Sequence, residues 1–550
     1  MMDRQLLVKR LLWRAEHVFG ANQVITRTGG GYEVCMYAEL AVRVRKLVTA
    51  LRGLGVRPGD RVLTLAWNSQ RHLEAYFAVP GMGAVLHTGN QRLSPVQLAY
   101  TINHAGDRVV LVEPDLVPLL ESIAARLATV RHVVVLGPIP DGTRLSGVQA
   151  YEDLLAVADP VEELPEFGEN TAAALCYTSG TTGDPKGVLY SHRSTVLHAL
   201  MLCAAGSVEV APAERFLLVT PMSHVNGWGI PYACALAGAT LILPGTHPGP
   251  EDLLQIIHEQ RPTTAVAAVT VGTMIRQAWE KAGRTHRLGS LRRLWLGGQA
   301  PSAAEISWWA RTCGTRVVNG WGMTEVSPLG TFCSVAATPE ELADTTVLER
   351  QARQGRPLPL VEVRIVDEAG SELAWDGQSA GELEVRAPWA AAGYFDQASG
   401  ADSHRDGWLR TGDVSVIHPD GSMQIKDRTK DLIKSGGEWI SSVELENALM
   451  GHPAVREAVV VAVADPKWVE RPLAYVEAQA EVAADELISY LAERFPRFWL
   501  PDRVIFVQQI PKTSVGKFDK KRIRSELAAG ALPEVMRGGM RHEDAVGGRG

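Results

Sequence analysis

At 550 residues, with 46% apolar and 21% charged side chains, the chain has the composition of an ordinary folded protein and the length for roughly three or four domain-sized units. A formal net charge of −7 leaves no basic footprint, which argues against nucleic acid as a partner. No apolar run approaches the ~20 residues that span a bilayer, so no transmembrane segment is expected.

The opening stretch, MMDRQLLVKRLLWRAEHVFG, spaces charges among its apolar residues, as an amphipathic helix does and a secretory signal does not. Residues 37–56 carry helical periodicity that ends near Gly53 and Gly55, and RPGDRVLTLAWNS then supplies a turn and a strand. Similar helix–turn–strand units recur at LESIAARLATVRHVVVLG and LLQIIHEQRPTTAVAAVTV. This alternation predicts α/β layers around mostly parallel sheets, persisting to Val318. Over 355–425 the texture changes to short strands and turns (VEVRIVDEAG, GELEVRAPW), which predicts a small β-rich subdomain within a large unit spanning 1–429. The helix–strand–helix texture of ELENALMGHPAVREAVVVAVAD and ELISYLAERF predicts a separate small α+β domain over 430–528, with the boundary at Lys430. Residues 529–550 are Gly/Arg-rich without periodicity and are expected to be disordered. Six scattered cysteines (Cys35, Cys176, Cys203, Cys234, Cys313, Cys333) show no CxxC pair or metal-like spacing, so buried free thiols in a reduced cytoplasm are expected.

The stretch around which the chemistry is organised is 177–193, YTSGTTGDPKGVLYSHR. Hydroxyls and glycines (Thr178, Ser179, Gly180, Thr181, Thr182, Gly183) lead to Pro185, Lys186 and Gly187. Glycines let backbone N–H groups approach an anion, hydroxyls add donors, and a lysine adds a point charge, so this is the chemistry of a polyphosphate cradle. It is not a Walker loop, because the G-K-[ST] ending is missing. Ala172–Tyr177 and 188–190 read as short strands, so the loop joins strand to strand. Gly/Ser/Thr clusters are commonly plain turns, and the Pro-Lys-Gly that follows sets this one apart.

In 319–325, NGWGMTE, Gly320 and Gly322 read as bending the chain around Trp321, with Thr324 and Glu325 at the exit. Alone, Trp321 would read as a core residue, Asp413 in GWLRTGD as part of a turn, and KDRTKD as a charged surface helix start. His224, beside Trp228 in PMSHVNGW, would read as a structural histidine. Among the terminal lysines, Lys512, Lys520 and Lys521 read as solvated.

Taken together and in this order, the segments resemble the acyl-adenylate-forming superfamily of acyl-CoA synthetases, luciferases and peptide-synthetase adenylation domains. The resemblance covers nearly the whole chain, from the N-terminal helix to Lys517. KDLIKSGGEWISSVELENALMGHP and PMSHVNGWGIPYACALAGATLILPG are especially similar to bacterial medium- and long-chain fatty acyl-CoA synthetases. It implies that Trp321 stacks on adenine, Thr324 binds the α-phosphate, and Glu325, with Thr181, holds Mg²⁺, a cation that takes hard oxygen ligands. Asp413 matches the ribose-binding aspartate, whose carboxylate accepts two hydrogen bonds at once, and Arg428 the arginine that reaches the nucleotide. Lys517, in PKTSVGKFDKK, resembles a mobile catalytic lysine that stabilises charge building on the α-phosphate. Lys430 occupies the hinge position, and Gly436-Gly437 resembles the loop lining the CoA pantetheine tunnel. His224 matches the residue at the carboxylate end of the acyl pocket, and Trp228 an aromatic gate.

The pattern departs from the family near that pocket. Ser223 stands where PMFH is usual, Ala267-Ala268-Val269-Thr270 replaces GVPT, and Gln299 replaces a smaller residue. The expectation is therefore an AMP-forming acid–CoA ligase using ATP, Mg²⁺ and CoA on a small-molecule acid, a medium- or long-chain fatty acid, with the acid specificity moved at these positions, and a homodimer is one assembly the reading allows. Its rivals are an adenylating enzyme of secondary metabolism with an unusual acid or a non-CoA acceptor (an aryl acid ligase, an amide former, a carrier-protein loader or a nitrite-activating diazotase) and a non-catalytic binding protein.

Overall fold

The computed structural model describes residues 2–178, 184–333, 338, 340–396, 403–436, 438–512 and 518–529. Strands that place apolar residues on both faces need cover on both faces, and that requirement sets the layering of the N-terminal part. Its first sheet has nine strands, ordered Arg356–Pro357, Leu329–Phe332, Arg316–Gly322, Arg293–Gly297, Thr264–Ala268, Arg215–Leu218, Thr240–Leu243, Gln23–Thr28 and Gly31–Met36. The six from Arg316–Gly322 to Gln23–Thr28 run parallel, and the edges are antiparallel. A second sheet of seven strands is parallel up to Ala172–Tyr177, which pairs antiparallel with Gly187–Ser191.

Helices lie between these sheets. Leu11, Leu47, Phe77, Leu202 and Tyr232 share one core with Val62 and Leu86 of the seven-stranded sheet and Phe216 and Leu241 of the nine-stranded one. The outer face of each sheet has its own helices. Leu217, Ile242 and Ala265 pack on Leu254, Ile275 and Ile306, while Leu63, Val110 and Val112 pack on Leu98, Ile102 and Leu120. Full burial of each such side chain contributes about 1.5–3 kcal/mol, so alternate strand residues serve opposite layers.

A five-stranded antiparallel sheet follows, built from Glu362–Val366, Gly381–Arg386, His404–Arg405, Trp408–Ile417 and Met423–Arg428. Its residues Val363, Ile365, Leu383 and Leu409 join the large N-terminal core. The C-terminal part instead has a core of its own (Ile433, Leu445, Leu449, Val460, Val476, Leu487 and Leu491) under a sheet of five strands. The molecule is thus an α/β fold with a large N-terminal part of layered sheets and a smaller, β-rich C-terminal part. All six cysteines are free, and no helix among the described residues is long and apolar enough to cross a membrane.

Lys520 corrects the reading of the terminal lysines. It opens the helix Lys520–Ala528 with its side chain only 11% exposed, and its Nζ lies 2.7 Å from Glu446 Oε1 and 2.6 Å from Ser442 Oγ. Burial pushes the Glu446 carboxyl up to about 7 against the pull of Lys520, and Asp427 is buried alongside. Two carboxylates sealed under a helix require a cation there. Lys512 is also paired, 2.6 Å from Glu457, whereas Lys521 is exposed as expected.

Candidate active site

Parallel sheets place their loops at the carboxyl ends of the strands, and ligands of open α/β folds bind there. In this chain 178–186 follows Ala172–Tyr177, 219–229 follows Arg215–Leu218, Val269 follows Thr264–Ala268, Gln299 follows Arg293–Gly297, and Thr324–Glu325 follows Arg316–Gly322. The expected strand–loop–strand context of the cradle is present. Its neck is closed by Thr178 N donating to the Lys186 carbonyl at 2.9 Å and Lys186 N donating to Thr178 Oγ1 at 3.1 Å. Ser179, Gly180, Thr181, Thr182 and Gly183 lie outside the described residues, as do Gly437 and Lys517. Behind the neck, the Tyr177 hydroxyl hydrogen-bonds with His104 Nδ1 at 2.7 Å.

Glu325 and Lys186 meet at Tyr394. The Tyr394 hydroxyl donates to Glu325 Oε1 at 2.6 Å, and Lys186 Nζ lies 4.7 Å from the centre of the same ring. Burial and the neighbouring carboxylate push the Tyr394 phenol upward, so it stays a donor. The backbone is held as well. Ala391 N donates to the Glu325 carbonyl at 2.7 Å, and the Tyr190 hydroxyl donates to the Thr324 carbonyl at 2.6 Å. Among the described residues no group of three or more His, Cys, Asp or Glu side chains could hold a metal. A single carboxylate beside a phosphate cradle does suit a hard cation that keeps phosphate oxygens and waters as its other ligands.

Trp321, Asp413 and Arg428 also come together. Trp321 Nε1 donates to Asp413 Oδ2 at 2.7 Å, and Arg428 Nε lies 3.2 Å from Asp413 Oδ1. Asp413 and Arg428 are cross-strand partners, which fixes their separation. Gly320 and Gly322 do not bend the chain. Both lie within the strand Arg316–Gly322, which has a bulge between Trp321 and Gly322. Their lack of a side chain serves the neighbouring strand: a Cβ on Gly320 would sit 2.8 Å from the Thr331 carbonyl oxygen, and one on Gly322 would overlap that of Pro328.

On the side expected to take the acid, His224 precedes five consecutive residues of left-handed backbone, Val225, Asn226, Gly227, Trp228 and Gly229, with φ of 47°, 50°, 57°, 56° and 73°. Left-handed backbone costs roughly 1–2 kcal/mol for each non-glycine residue. The turn is held in place by Asn226 Oδ1 accepting from Cys176 Sγ at 3.1 Å. It sets the Trp228 ring on Gly297, where any Cβ would overlap the indole. Ala268 and Gly297 are paired across parallel strands, so the chain leaves the sheet toward Val269 and Gln299 from neighbouring strand ends. Ser223 is buried beside Met222, whose N donates to Asn68 Oδ1 at 2.7 Å. His198, at 2% exposure, accepts from Leu329 N at 3.4 Å and closes against Gly229, and burial depresses it to about 3.

Lys430 is exposed between Met423–Arg428 and Ile433–Ser435, where the sheets of the two parts meet. Asp427, ahead of it, accepts from Ser442 N at 2.7 Å and from Ser442 Oγ at 2.5 Å. Gly436, with φ of 61°, donates its N–H to the Trp468 carbonyl at 2.8 Å. Sequence reasoning missed Tyr394, Tyr190 and His198. For Tyr394 the available signal was an aromatic pair after the small residues AAG.

Residues 13–395 match the family described as AMP-binding enzyme, and residues 444–517 match the AMP-binding enzyme C-terminal domain. A long-chain-fatty-acid–CoA ligase of Thermus thermophilus is 45% identical, over 96% of each chain. A 3-methylmercaptopropionyl-CoA ligase of Ruegeria lacuscaerulensis is 41% identical, over 96% of this chain and 98% of that protein. The solved structure of the anthranilate CoA ligase AuaEII in complex with anthranoyl-AMP superimposes with a TM-score of 0.86 at 25% identity, covering 96% of this chain and 99% of that one.

Proposed function

Because the chain belongs to the AMP-binding enzyme family, we propose that it is an AMP-forming acid–CoA ligase acting on a medium- or long-chain fatty acid. The observation that carries the reading is the convergence at one edge of the sheets. The neck of an anion cradle, a carboxylate–lysine pair bridged by Tyr394 and the Trp321–Asp413–Arg428 cluster lie on one side, and an apolar floor of Trp228 on Gly297 on the other.

In the first step a carboxylate oxygen of the acid attacks the α-phosphorus of ATP, the bond to the β-phosphate oxygen breaks, and pyrophosphate leaves. Lys186 and the cradle N–H groups hold the polyphosphate in line, which is most of what this chemistry asks of a protein. Asp413 and Arg428 hold the ribose, Trp321 flanks the base, and Thr324 bonds the α-phosphate. Lys517 places an ammonium where the negative charge accumulates. Glu325 and Thr181 would hold Mg²⁺, which would neutralise phosphate charge there. In the second step the CoA sulfur attacks the acyl carbon, the thiol proton is lost, and AMP departs with the electron pair of the broken C–O bond. Rotation about Lys430 exchanges Lys517 for the loop of Gly436 and Gly437 between the steps.

The test is an acid panel with AMP, pyrophosphate and acyl thioester quantified with and without CoA. Release of ADP and inorganic phosphate, or AMP release that CoA neither accelerates nor converts to a thioester, rejects the reading. AMP and pyrophosphate with acylation of an amine or a carrier protein would select the rival acceptor instead.

A further inference from the structure

Residues 387–396 cross the site as a strap, and the strap is tied to both of its walls. On the metal side, Ala391 N donates to the Glu325 carbonyl at 2.7 Å, and Ser327 Oγ donates to the Trp389 carbonyl at 2.8 Å. On the phosphate side, Phe395 N donates to the Gly187 carbonyl at 2.8 Å, and the Phe395 ring meets His104 edge-on at 5.5 Å. His404 Nε2 steadies the middle through the Ala391 carbonyl at 3.1 Å. Tyr394 is thus held from both directions, and its side chain touches one charged group with each end of its chemistry. The hydroxyl donates to Glu325 Oε1, and the ring face receives the Lys186 ammonium.

We propose that Tyr394 is a positioning residue that fixes Glu325 and Lys186 relative to each other across the triphosphate site. An ionised carboxylate on a flexible side chain has several rotamers, and a short bond to one oxygen selects one of them while Oε2 has no hydrogen-bond partner among the described residues. A lysine ammonium on an aromatic face is held without losing its charge, and it still has N–H donors to offer phosphate oxygens while the ring keeps it in place. The two interactions use different parts of one side chain, so they separate by substitution. The inference rests on the ligase reading for the identity of the triphosphate but not for the binding measurement itself.

The experiment compares Tyr394→Phe, which keeps the ring, with Tyr394→Leu, which keeps neither function, by calorimetry of ATP binding at increasing Mg²⁺ and by pyrophosphate exchange. For Tyr394→Phe the expected result is ATP affinity within twofold of wild type (about that, for loss of a contact not made to ATP) in the absence of Mg²⁺. Its half-saturating Mg²⁺ should rise about tenfold, the gain expected from one charge-assisted hydrogen bond, with exchange kcat down by a similar factor and the KM for acid unchanged. Tyr394→Leu should in addition bind ATP without Mg²⁺ about fivefold more weakly, because Lys186 loses its platform. In a Glu325→Gln background the Tyr394→Phe effect on Mg²⁺ should disappear, since the two residues act as one unit. Wild-type Mg²⁺ dependence in Tyr394→Phe, or equal losses in both variants at every Mg²⁺ concentration, overturns the proposal. Wild-type protein that binds ATP yet releases no AMP with any acid would reject the ligase reading alone, and the calorimetric comparison would still decide the role of Tyr394.

Discussion

At the end proposed to bind the nucleotide, Trp321 is joined to Asp413 and Tyr394 to Glu325 by hydrogen bonds of 2.7 and 2.6 Å, between residues 92 and 69 positions apart. At the end proposed to take the acid the contacts are apolar and steric: an indole on a glycine, placed by a left-handed turn. The nucleotide is the same molecule in every turnover, so short directional bonds between distant residues suit it. The acid is what related enzymes vary, and shape is cheaper to alter than a hydrogen-bond network. The departures from the family pattern at Ser223, Val269 and Gln299 all fall on the second side.

The largest effect that would break this division comes from Lys517→Ala. Adenylation should fall about 10²–10³-fold for every acid alike, while supplied acyl-AMP is still converted to thioester. Equal loss in both steps, measured by single-turnover assays, would contradict the rotation about Lys430. Asp413→Ala should raise the KM for ATP by about tenfold or more through loss of the ribose hydrogen bonds, and it should also lower stability by about 1–3 kcal/mol, because it strands the buried Trp321 N–H. That penalty should be independent of acid. Gly297→Ala should act the other way round. The new methyl displaces the Trp228 ring, so kcat/KM should change about tenfold for some acids and little for others, with ATP affinity unmoved. A uniform loss across acids would erase the distinction between the ends.

The smallest effect concerns His198, which sits at the junction of the two ends. It accepts a backbone N–H and is held near a pKa of about 3 by burial, below the ordinary 6.5. A depressed histidine contributes stability that is complete above pH 6.5 and is lost as pH falls toward the folded value. Between pH 7 and 5.5 His198 should account for about 1.3 kcal/mol of lost stability, read from urea midpoints. His192 and His72, each held near 4 by burial, should add to the loss in the same window.

The layered α/β architecture was legible because two-sided strands leave apolar runs and the helices between them leave a 3.6-residue period. So was the pair of strands flanking 178–186, since a strand–loop–strand run is written in consecutive residues. The glycines of NGWG were misread because a sequence does not show which backbone lies alongside. Only the strand Leu329–Phe332 explains them. Lys520 was misread because a lysine's burial depends on carboxylates 74 and 93 residues away, at Glu446 and Asp427. Tyr394 belongs to the same class. Its partners Lys186 and Glu325 are brought to it by two other strands, Gly187–Ser191 and Arg316–Gly322, and the aromatic pair after AAG does not show which charges it will meet.

The left-handed run at 225–229 bears on how such an enzyme changes over evolutionary time. Removing a tryptophan ring from a well-packed place ordinarily lowers stability by about 3–5 kcal/mol. Trp228 occupies a conformation that glycine adopts freely, so a mutation to glycine would recover roughly 1–2 kcal/mol of that loss. Drift toward bulkier substrates through this one codon is therefore less punishing to the scaffold than the size of the side chain suggests.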